Sequence, residues 1–454
     1  MLKKIAVSDL CLGMHLHALC GNWLNHPFWR AKFVMTDPAD LAMLRASGIA
    51  ECWIDDEKGA ALPACTPPAV VPVDAVFPVH AAPPHAEPAA PPKSAPSTAC
   101  SMADELEHAG RLMAQSRTAV MALFGEARLG RTMNTEQCAE VVGEITASVW
   151  RNPGALVSLA RLKTHDDYSY MHSVAVCVLM VSLSRQLGHD ESQARDAGMG
   201  GLLHDMGKAL MPIEVLNKPG KLTDAEYTLI KRHPELGHEL LVGGDAPRLA
   251  LDVCLHHHER PDGCGYPFGL AGSALTQAAR MGAVCDVYDA ITSNRPYKSG
   301  WDPAESIAQM ADWTKQHQFD PAIFSAFLTG LGVYPTGSLV RLKSGRLAVV
   351  VEQNVGALSA PVVKVFFSTR SQMPVTAELL DLAKPRCVDR IVARESNRVW
   401  QFKHLDELWA GREVLDKLAR AQALAASVRG PEVAAGKSPP ENRRVSPAAS
   451  SARP

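Results

Sequence analysis

Residues 202–208 read LLHDMGK, and this stretch decides how the rest of the chain is interpreted. An apolar run leads into adjacent His204 and Asp205, so the helix that carries them is expected to be buried. Lys208 follows His204 by four residues, about one helical turn along the same face. A buried histidine–aspartate pair beside a lysine is costly unless something binds it. The stretch therefore predicts a buried site for a metal ion and an anionic substrate in a helical domain.

Further histidines and acidic residues that could contribute to such a site lie on both sides of this stretch. Nine of the seventeen histidines fall within about a fifth of the chain. His172 opens an almost wholly apolar helix, and His233 marks a predicted helix start. Three histidines at 256–258 end another apolar run, and Asp286 lies three residues before Asp289 on one helical face. Each alone could be an ordinary core or surface residue, and Asp289 a helix cap as readily as a ligand. Together, in this order, they predict one site.

Residues 260–267, RPDGCGYP, follow the three histidines directly. Two glycines and two prolines in eight positions favour a tight loop, since glycine permits positive φ and proline fixes the chain direction. Such a loop can bring side chains close to a ligand.

The composition is that of a soluble globular protein. The chain has 454 residues, 47% of them hydrophobic, and a formal net charge of -2. A net charge so near zero does not indicate binding to a nucleic-acid polymer or to an anionic membrane. No stretch approaches the roughly 20 apolar residues that span a bilayer. The eleven cysteines lack a CxxC pair, which disfavours a disulfide framework or a zinc knuckle. We expect a cytoplasmic protein with neither a membrane nor a nucleic-acid polymer as partner.

Composition and periodicity also divide the chain. Dense proline predicts an extended linker, 3.6-residue periodicity predicts helices, and Val- and Phe-rich runs predict strands. The predicted division is a small α+β module at 1–60, a linker at 61–100, a helical domain at 101–335, a β-rich extension at 336–410 with strands at 338–342, 347–352 and 362–367, and a frayed helix running into a disordered tail at 418–454.

The motifs in this sequence carry a family resemblance. His204-Asp205 with Gly207-Lys208, and residues 257–267, match the HDxGK and HHExxDGxGYP motifs of HD-GYP domains, a branch of the HD metal-dependent phosphohydrolases. The resemblance covers about residues 150–335. The first 60 residues also resemble a small domain of unknown function that often precedes HD-GYP domains. The expected fold class is therefore mainly α: an HD-type helical bundle with a small N-terminal α+β module and a small C-terminal β-rich extension.

The resemblance implies an activity and a role for each motif residue. The implied activity is hydrolysis of the bacterial second messenger cyclic di-GMP to pGpG or GMP, in cyclic di-GMP signalling. The implied metal ligands are His172, His204, Asp205, His233, His257, His258 and Asp286, with Asp205 bridging two ions. The implied catalytic residues are Asp205 and Lys208, and the implied contacts to guanine and phosphate are Tyr266, Arg295 and Lys298.

The chemistry of these residue types agrees with the implied roles. Mixed His/Asp ligation suits iron or manganese better than magnesium, and it lacks the thiolates of structural zinc. A water shared by two such cations can lose a proton at neutral pH, which supplies a nucleophile for phosphodiester hydrolysis. Arg295 and Lys298 offer positive charge to a dianionic substrate, and Tyr266 offers a stacking face to a base. Some family members hold a third ion through a glutamate four residues before the first ligand histidine; Tyr168 at that position predicts two ions.

Two other functions remain open at this level. One is a non-catalytic cyclic di-GMP receptor or interaction module, which the intact motifs disfavour. The other is an HD phosphohydrolase that acts on another cyclic dinucleotide, which the Gly265-Tyr266-Pro267 loop disfavours. A regulatory protein could dock through the N-terminal module or the GYP loop, and the C-terminal extension could pack on the helices or form a homodimer.

Overall fold

The structure is a computed structural model. It describes residues 2–19, 33–35, 38–45, 51–59, 100–131, 135–162, 168–218, 220–244, 246–293, 300–354 and 356–427.

Helices account for most of these residues. In chain order they are α1 (Pro38–Arg45), α2 (Met102–Arg128), α3 (Glu136–Arg151), α4 (Pro153–Ala160), α5 (Tyr168–Gln186), α6 (Glu191–Leu203), α7 (Ile213–Leu216), α8 (Asp224–Ile230), α9 (His233–Val242), α10 (Arg248–His256), α11 (Gln277–Thr292), α12 (Pro303–Lys315), α13 (Pro321–Leu331), α14 (Asn397–Trp400), α15 (Leu405–Ala410) and α16 (Arg412–Ser427). Short 3₁₀ helices cover Val7–Asp9, Met206–Leu210 and Gly272–Ala274. In the described part of the chain, no helix is both long and apolar enough to cross a membrane.

The strands form two antiparallel sheets, one at each side of the helical region in sequence. They are β1 (Leu2–Ala6), β2 (His15–Leu19), β3 (Phe33–Val34), β4 (Glu51–Asp55), β5 (Leu339–Leu342), β6 (Arg346–Glu352), β7 (Val362–Ser368), β8 (Met373–Asp381) and β9 (Ile391–Arg394). The N-terminal sheet has the order β1-β4-β2-β3 and the C-terminal sheet the order β8-β7-β6-β5-β9.

Helix α5 is the centre of the helical domain. Residues 171–184 of this helix are all buried, as expected of a helix that other helices surround. Val174 and Val178 pack with α2, α3 and α4, whereas Val176 and Met180 pack with α11, α12 and α13. The two hydrophobic clusters therefore meet along α5.

Helix α6 lies unusually close to α5. A side chain at Gly201 would place its Cβ only 2.8 Å from the carbonyl oxygen of Val176, so the approach depends on glycine. This approach brings His204, directly after α6, next to His172 on α5, with ring centroids 5.1 Å apart. The contact between two helices thus sets the distance between the first two motif histidines.

The C-terminal sheet is fixed to the helical domain. Strand β6 alternates, so that Val349 is buried in the helical core while Ala348 and Val350 belong to the sheet's own core. After the sheet, α16 returns to α2: Leu418 is buried, and Lys417 Nζ lies 3.0 Å from Glu107 Oε1. The segment from 418, where the sequence predicts a frayed helix and a tail, is helical to Ser427, and its continuation lies outside the described residues.

The expected fold class is confirmed: mainly helical, with a small sheet at each end. The three strands predicted in the extension correspond to β5, β6 and β7. Strand β8 was not predicted because it is an edge strand exposed along most of its length, so it lacks the apolar alternation of a half-buried strand. Residues 61–99 of the predicted linker lie outside the described residues.

Candidate metal centre

Five separate elements bring the predicted ligand residues together at one buried place. His172 is on α5, His204 and Asp205 follow α6, His233 opens α9, His257 and His258 follow α10, and Asp286 is on α11. Gly207 makes this convergence possible, because a Cβ there would lie 1.9 Å from the carbonyl oxygen of His233. The glycine of the HDxGK motif therefore lets α9 approach the Asp205 segment closely.

The side chains form groups whose ligand atoms lie within 4.8 Å of one another. One group is His172, His204 and Asp286; another is His233, His257 and His258; a third joins His204, Asp205 and His257. Each group has the size and donor types of a site that could hold a metal ion.

Asp205 lies between the first two groups, with one carboxylate oxygen toward each. Its Oδ2 is 3.5 Å from His172 Nε2 and 3.3 Å from His204 Nε2. Its Oδ1 is 3.3 Å from His233 Nε2 and 3.8 Å from His257 Nε2. A carboxylate in this position could bind a metal ion in each group at the same time.

Hydrogen bonds on the far side of each ring orient four of the histidines. Nδ1 of His204, His233 and His257 lies within 3.1 Å of a backbone carbonyl oxygen, which requires Nδ1 to carry the proton. Nδ1 of His172 lies 2.7 Å from Oδ2 of Asp289. In the neutral form of each of these four rings, the Nε2 lone pair then points into the site, as a metal ligand requires.

Two buried polar atoms at the centre have no hydrogen-bond partner among the described residues: His204 Nε2 and Asp205 Oδ1. Buried polar atoms are almost always satisfied, because an unmade hydrogen bond is costly. Both atoms are electron-pair donors, so a cation would satisfy them. The donor set of the site therefore fits metal ions.

Burial determines the protonation states in the site. It lowers the pKa of His257 to about 3 and that of His258 well below its ordinary value, and neighbouring histidines add to both shifts. Burial alone would raise the pKa of Asp205 and Asp286. The neighbouring His204 and Lys208 hold the pKa of Asp205 well below its usual range, and His172, whose own pKa is raised by Asp286 and Asp289, does the same for Asp286. Neutral imidazoles and ionised carboxylates are the forms that bind metal.

Lys208 and Tyr266 flank the cluster. Lys208 Nζ lies 2.5 Å from Asp205 Oδ2, and its side chain is partly exposed. The Tyr266 ring stacks on His258 at a centroid distance of 4.6 Å and an interplanar angle of 26°. The structure therefore brings both predicted residues to the histidine cluster. Arg295 and Lys298 lie outside the described residues.

The GYP loop (residues 260–267) is held by Glu259, which is buried. The Glu259 carboxylate accepts hydrogen bonds from the backbone N–H groups of Phe268, Gly269 and Leu270 at 2.7–3.1 Å. A Cβ on Gly265 would lie 2.5 Å from the backbone of Glu259, so the loop packs tightly on its own stem. These contacts fix the path of the chain on both sides of Tyr266.

Lys231 was not predicted as a site residue. Its Nζ lies 5.3 Å from the Tyr266 ring centroid and 4.9 Å from that of Tyr227. No carboxylate among the described residues forms an ion pair with it, and burial lowers its pKa. The signal available in the sequence was its place two residues before His233. His256, which also received no role, pairs with Asp252 away from the cluster.

Comparison with known proteins agrees with this geometry. Residues 155–323 match the HD domain family, and residues 2–138 match a domain of unknown function, DUF3391. A cyclic di-GMP phosphodiesterase of Pseudomonas aeruginosa is 50% identical over 414 residues, covering 90% of this chain and 96% of that protein. The chain belongs to the HD-GYP family. The DUF3391 match spans the N-terminal sheet, helix α2 and the first residues of α3.

Other relatives of this HD-GYP protein match over about a third of its length. A cyclic di-GMP phosphodiesterase response regulator of Xanthomonas campestris is 44% identical over 33% of this chain and 39% of that protein. A 3′3′-cGAMP-specific phosphodiesterase of Vibrio cholerae is 33% identical over 36% of this chain and 38% of that protein. The HD-GYP relatives thus include proteins named for two different cyclic dinucleotides.

Proposed function

We propose that this chain is a metal-dependent phosphodiesterase that hydrolyses cyclic di-GMP to pGpG or GMP in the cytoplasm. The observation that carries the proposal is Asp205 between two histidine groups, with Tyr266 stacked at the edge of the cluster. The close relationship to a cyclic di-GMP phosphodiesterase over nearly the whole chain supports the choice of substrate.

Two divalent ions fit the proposed site. His172, His204 and Asp286 would hold one ion, and His233, His257 and His258 the other, with Asp205 shared between them. Imidazole and carboxylate donors without thiolate favour iron or manganese. Bound there, the ions would supply Lewis-acid activation and a nucleophile at neutral pH.

The remaining residues would bind and orient the substrate. Lys208, ion-paired with Asp205 and partly exposed, would offer its ammonium to the scissile phosphate. Tyr266 presents a face on which a guanine can stack, and aromatic stacking contributes about 1–3 kcal/mol per base. Arg295 and Lys298 are proposed to pair with the phosphates, since two cations match a dianionic ligand.

A second candidate substrate has its own support. The relative named for 3′3′-cGAMP is 33% identical over 36% of this chain, which makes a different cyclic dinucleotide the second candidate substrate. A non-catalytic receptor is the third candidate. The complete set of ligand groups favours catalysis over that function.

The test measures metal content and turnover in the same anaerobically purified protein. The substrates are cyclic di-GMP, 3′3′-cGAMP and cyclic di-AMP, and the variant is Asp205→Ala. A matched control is Asp312→Ala, because Asp312 also pairs with a lysine three residues later but on the exposed surface. We expect about two iron or manganese ions per chain, preferential cleavage of cyclic di-GMP, and loss of both properties in Asp205→Ala only.

Other outcomes would replace the proposal. Preferential cleavage of 3′3′-cGAMP would assign the second substrate. Metal-loaded protein that binds cyclic di-GMP without cleaving it would make the chain a receptor, and three ions per chain would contradict the binuclear site.

A further inference from the structure

A hydrogen bond joins the N-terminal sheet to the GYP loop. The indole Nε1–H of Trp53 donates to the thiol Sγ of Cys264 at 3.3 Å, across 211 positions of sequence. Cys264 is buried, with 8% of its surface exposed. The N-terminal unit, residues 2–59, therefore contacts the loop that carries Tyr266.

The position of Trp53 in its strand explains how it reaches the loop. It lies in β4, an inner strand of the N-terminal sheet. Cys52 and Ile54 on either side are fully buried in the unit's own core, together with Leu44 of α1. Because neighbouring side chains alternate across a strand, Trp53 projects from the opposite face. One face of the sheet thus holds the N-terminal unit together, and the other carries the contact to the catalytic domain.

The backbone of the loop around Cys264 is tightly constrained, so a displacement of Cys264 would also displace Tyr266. Gly263 has a φ of +73°, and Gly265 has no space for a side chain. The backbone N–H of Cys264 donates to Asp262 Oδ1 at 3.0 Å, which further fixes this residue. Tyr266, two residues on, donates its backbone N–H to the carbonyl oxygen of His258 at 3.2 Å and stacks on that imidazole. A short chain of contacts therefore runs from Trp53 to a histidine of the cluster.

We propose that the N-terminal unit docks on the GYP loop through the Trp53–Cys264 contact and thereby holds Tyr266 in the position that binds substrate. This inference rests on the proposed function, because it treats Tyr266 as a substrate contact. Covalent attachment makes the docking intramolecular, so a small contact is enough to populate the docked state. A signal that releases the unit would weaken substrate binding without altering the metal ligands. Trp53 and Cys264 are positioning residues.

The test is a double-mutant cycle in the full-length chain with Trp53→Phe, Cys264→Ala and the double variant. Trp53→Phe keeps an aromatic ring but removes the donor, and Cys264→Ala removes the acceptor. Each single variant should raise KM for cyclic di-GMP about twofold to tenfold, the range covered by one net hydrogen bond, while kcat stays near its original value. The double variant should be no worse than either single variant, because both remove the same contact.

Two controls accompany the cycle. Trp400→Phe also deletes an indole donor, to Glu395 in the C-terminal region, and should leave KM unchanged. Cys264→Ser, which retains a hydrogen-bond acceptor, should restore KM toward the original value. Additive effects of Trp53→Phe and Cys264→Ala, an unchanged KM in both, or a lowered KM would overturn the proposal.

A second measurement does not depend on turnover, so it separates this proposal from the proposed function. In Trp53→Ala, alkylation of Cys264 by iodoacetamide, followed by peptide mass spectrometry, should be faster than in the original protein. Cys254, which is fully buried elsewhere in the helical core, is the internal reference for global unfolding. Equal labelling of Cys264 in both proteins would rule out the docked contact, whatever the substrate.

Discussion

Asp289 and His172 form a buried hydrogen bond in which Nδ1 and Oδ2 lie 2.7 Å apart. The other Asp289 oxygen lies 3.3 Å from the hydroxyl of Ser293, one turn later on the same chain. The carboxylate is therefore fixed, and it fixes the imidazole in turn. Carboxylate–histidine pairs of this kind orient metal ligands and raise their basicity.

Replacing Asp289 with Asn should weaken metal retention. The amide keeps the size of the side chain but removes the charge and allows the wrong His172 tautomer, so we expect metal affinity to fall about tenfold to a hundredfold. Ions remaining after dialysis against graded chelator concentrations would measure this. Asp252→Asn is the matched control, since Asp252 pairs with His256 outside the cluster. Equal retention in the two variants would show that Asp289 does not support the site.

Glu259→Gln should loosen the GYP loop. The carboxylate accepts three backbone N–H groups, and the amide would turn a donor toward one of them. Hydrogen bonds to charged groups contribute about 1.5–3 kcal/mol each, so we expect a loss of about 2–4 kcal/mol in the free energy of unfolding. Urea titration would measure it. The control is Glu226→Gln in the partly exposed capping box of α8, where the loss should be clearly smaller because solvent screens the carboxylate. Similar losses in both variants would contradict the anchoring role of Glu259.

Lys231→Met should impair substrate binding more than turnover. The ammonium lies beside the Tyr266 ring without a carboxylate partner among the described residues, so an anionic ligand would be its natural counter-ion. We expect KM for cyclic di-GMP to rise about tenfold, with a weaker dependence on salt than in the original protein. The control is Lys221→Met, an exposed lysine in the segment before α8. A KM that responds equally to both substitutions would remove Lys231 from the substrate site.

Asp302→Asn should raise stability above neutral pH. Burial raises the pKa of Asp302 from 3.8 to about 6, although the carboxylate caps α12 through the backbone N–H groups of Ala304 and Glu305. The folded state therefore prefers the protonated acid, and the stability that this proton contributes is present below pH 4 and is lost as pH rises to about 6. Asparagine is also a good cap but does not ionise. The free energies of unfolding from urea titration should be similar for the two proteins at pH 4. At pH 8 that of Asp302→Asn should be higher by about 1–3 kcal/mol. A gain of the same size at both pH values would exclude ionisation as its cause.

The sequence predicts the cluster because the motifs contain the histidines and aspartates that the structure brings together. The residues proposed as ligands are widely separated, yet each appears at a helix end or on an apolar helix, where burial is readable from periodicity. Glu259 belongs to the quoted motif, but its partners are backbone groups, and nothing in composition indicates which N–H groups a carboxylate will meet. The Asp289–His172 pair depends on how α11 crosses α5, which no local pattern encodes.

Contacts between distant segments were the hardest to predict. Trp53 appears in the sequence as one residue of a short β-like run, and its partner lies 211 positions away. Strand β8 also could not be predicted from its local sequence. Its sequence, MPVTAELLD, has a weak strand pattern, and pairing with β7 defines it as a strand. In both cases tertiary packing outweighs local preference.

The return of α16 to α2 has a consequence for synthesis of the protein. Trp409 and Leu418 belong to the same buried cluster as Leu106 and Leu112 of α2, and Lys417 pairs with Glu107 across 310 positions. A nascent chain leaves the part of α2 that α16 covers exposed until the segment near residue 418 has left the ribosome. At about 5–20 residues per second, that interval lasts roughly 15 to 60 seconds. During translation, therefore, the helical domain is a target for chaperones until its late-synthesised helix covers α2.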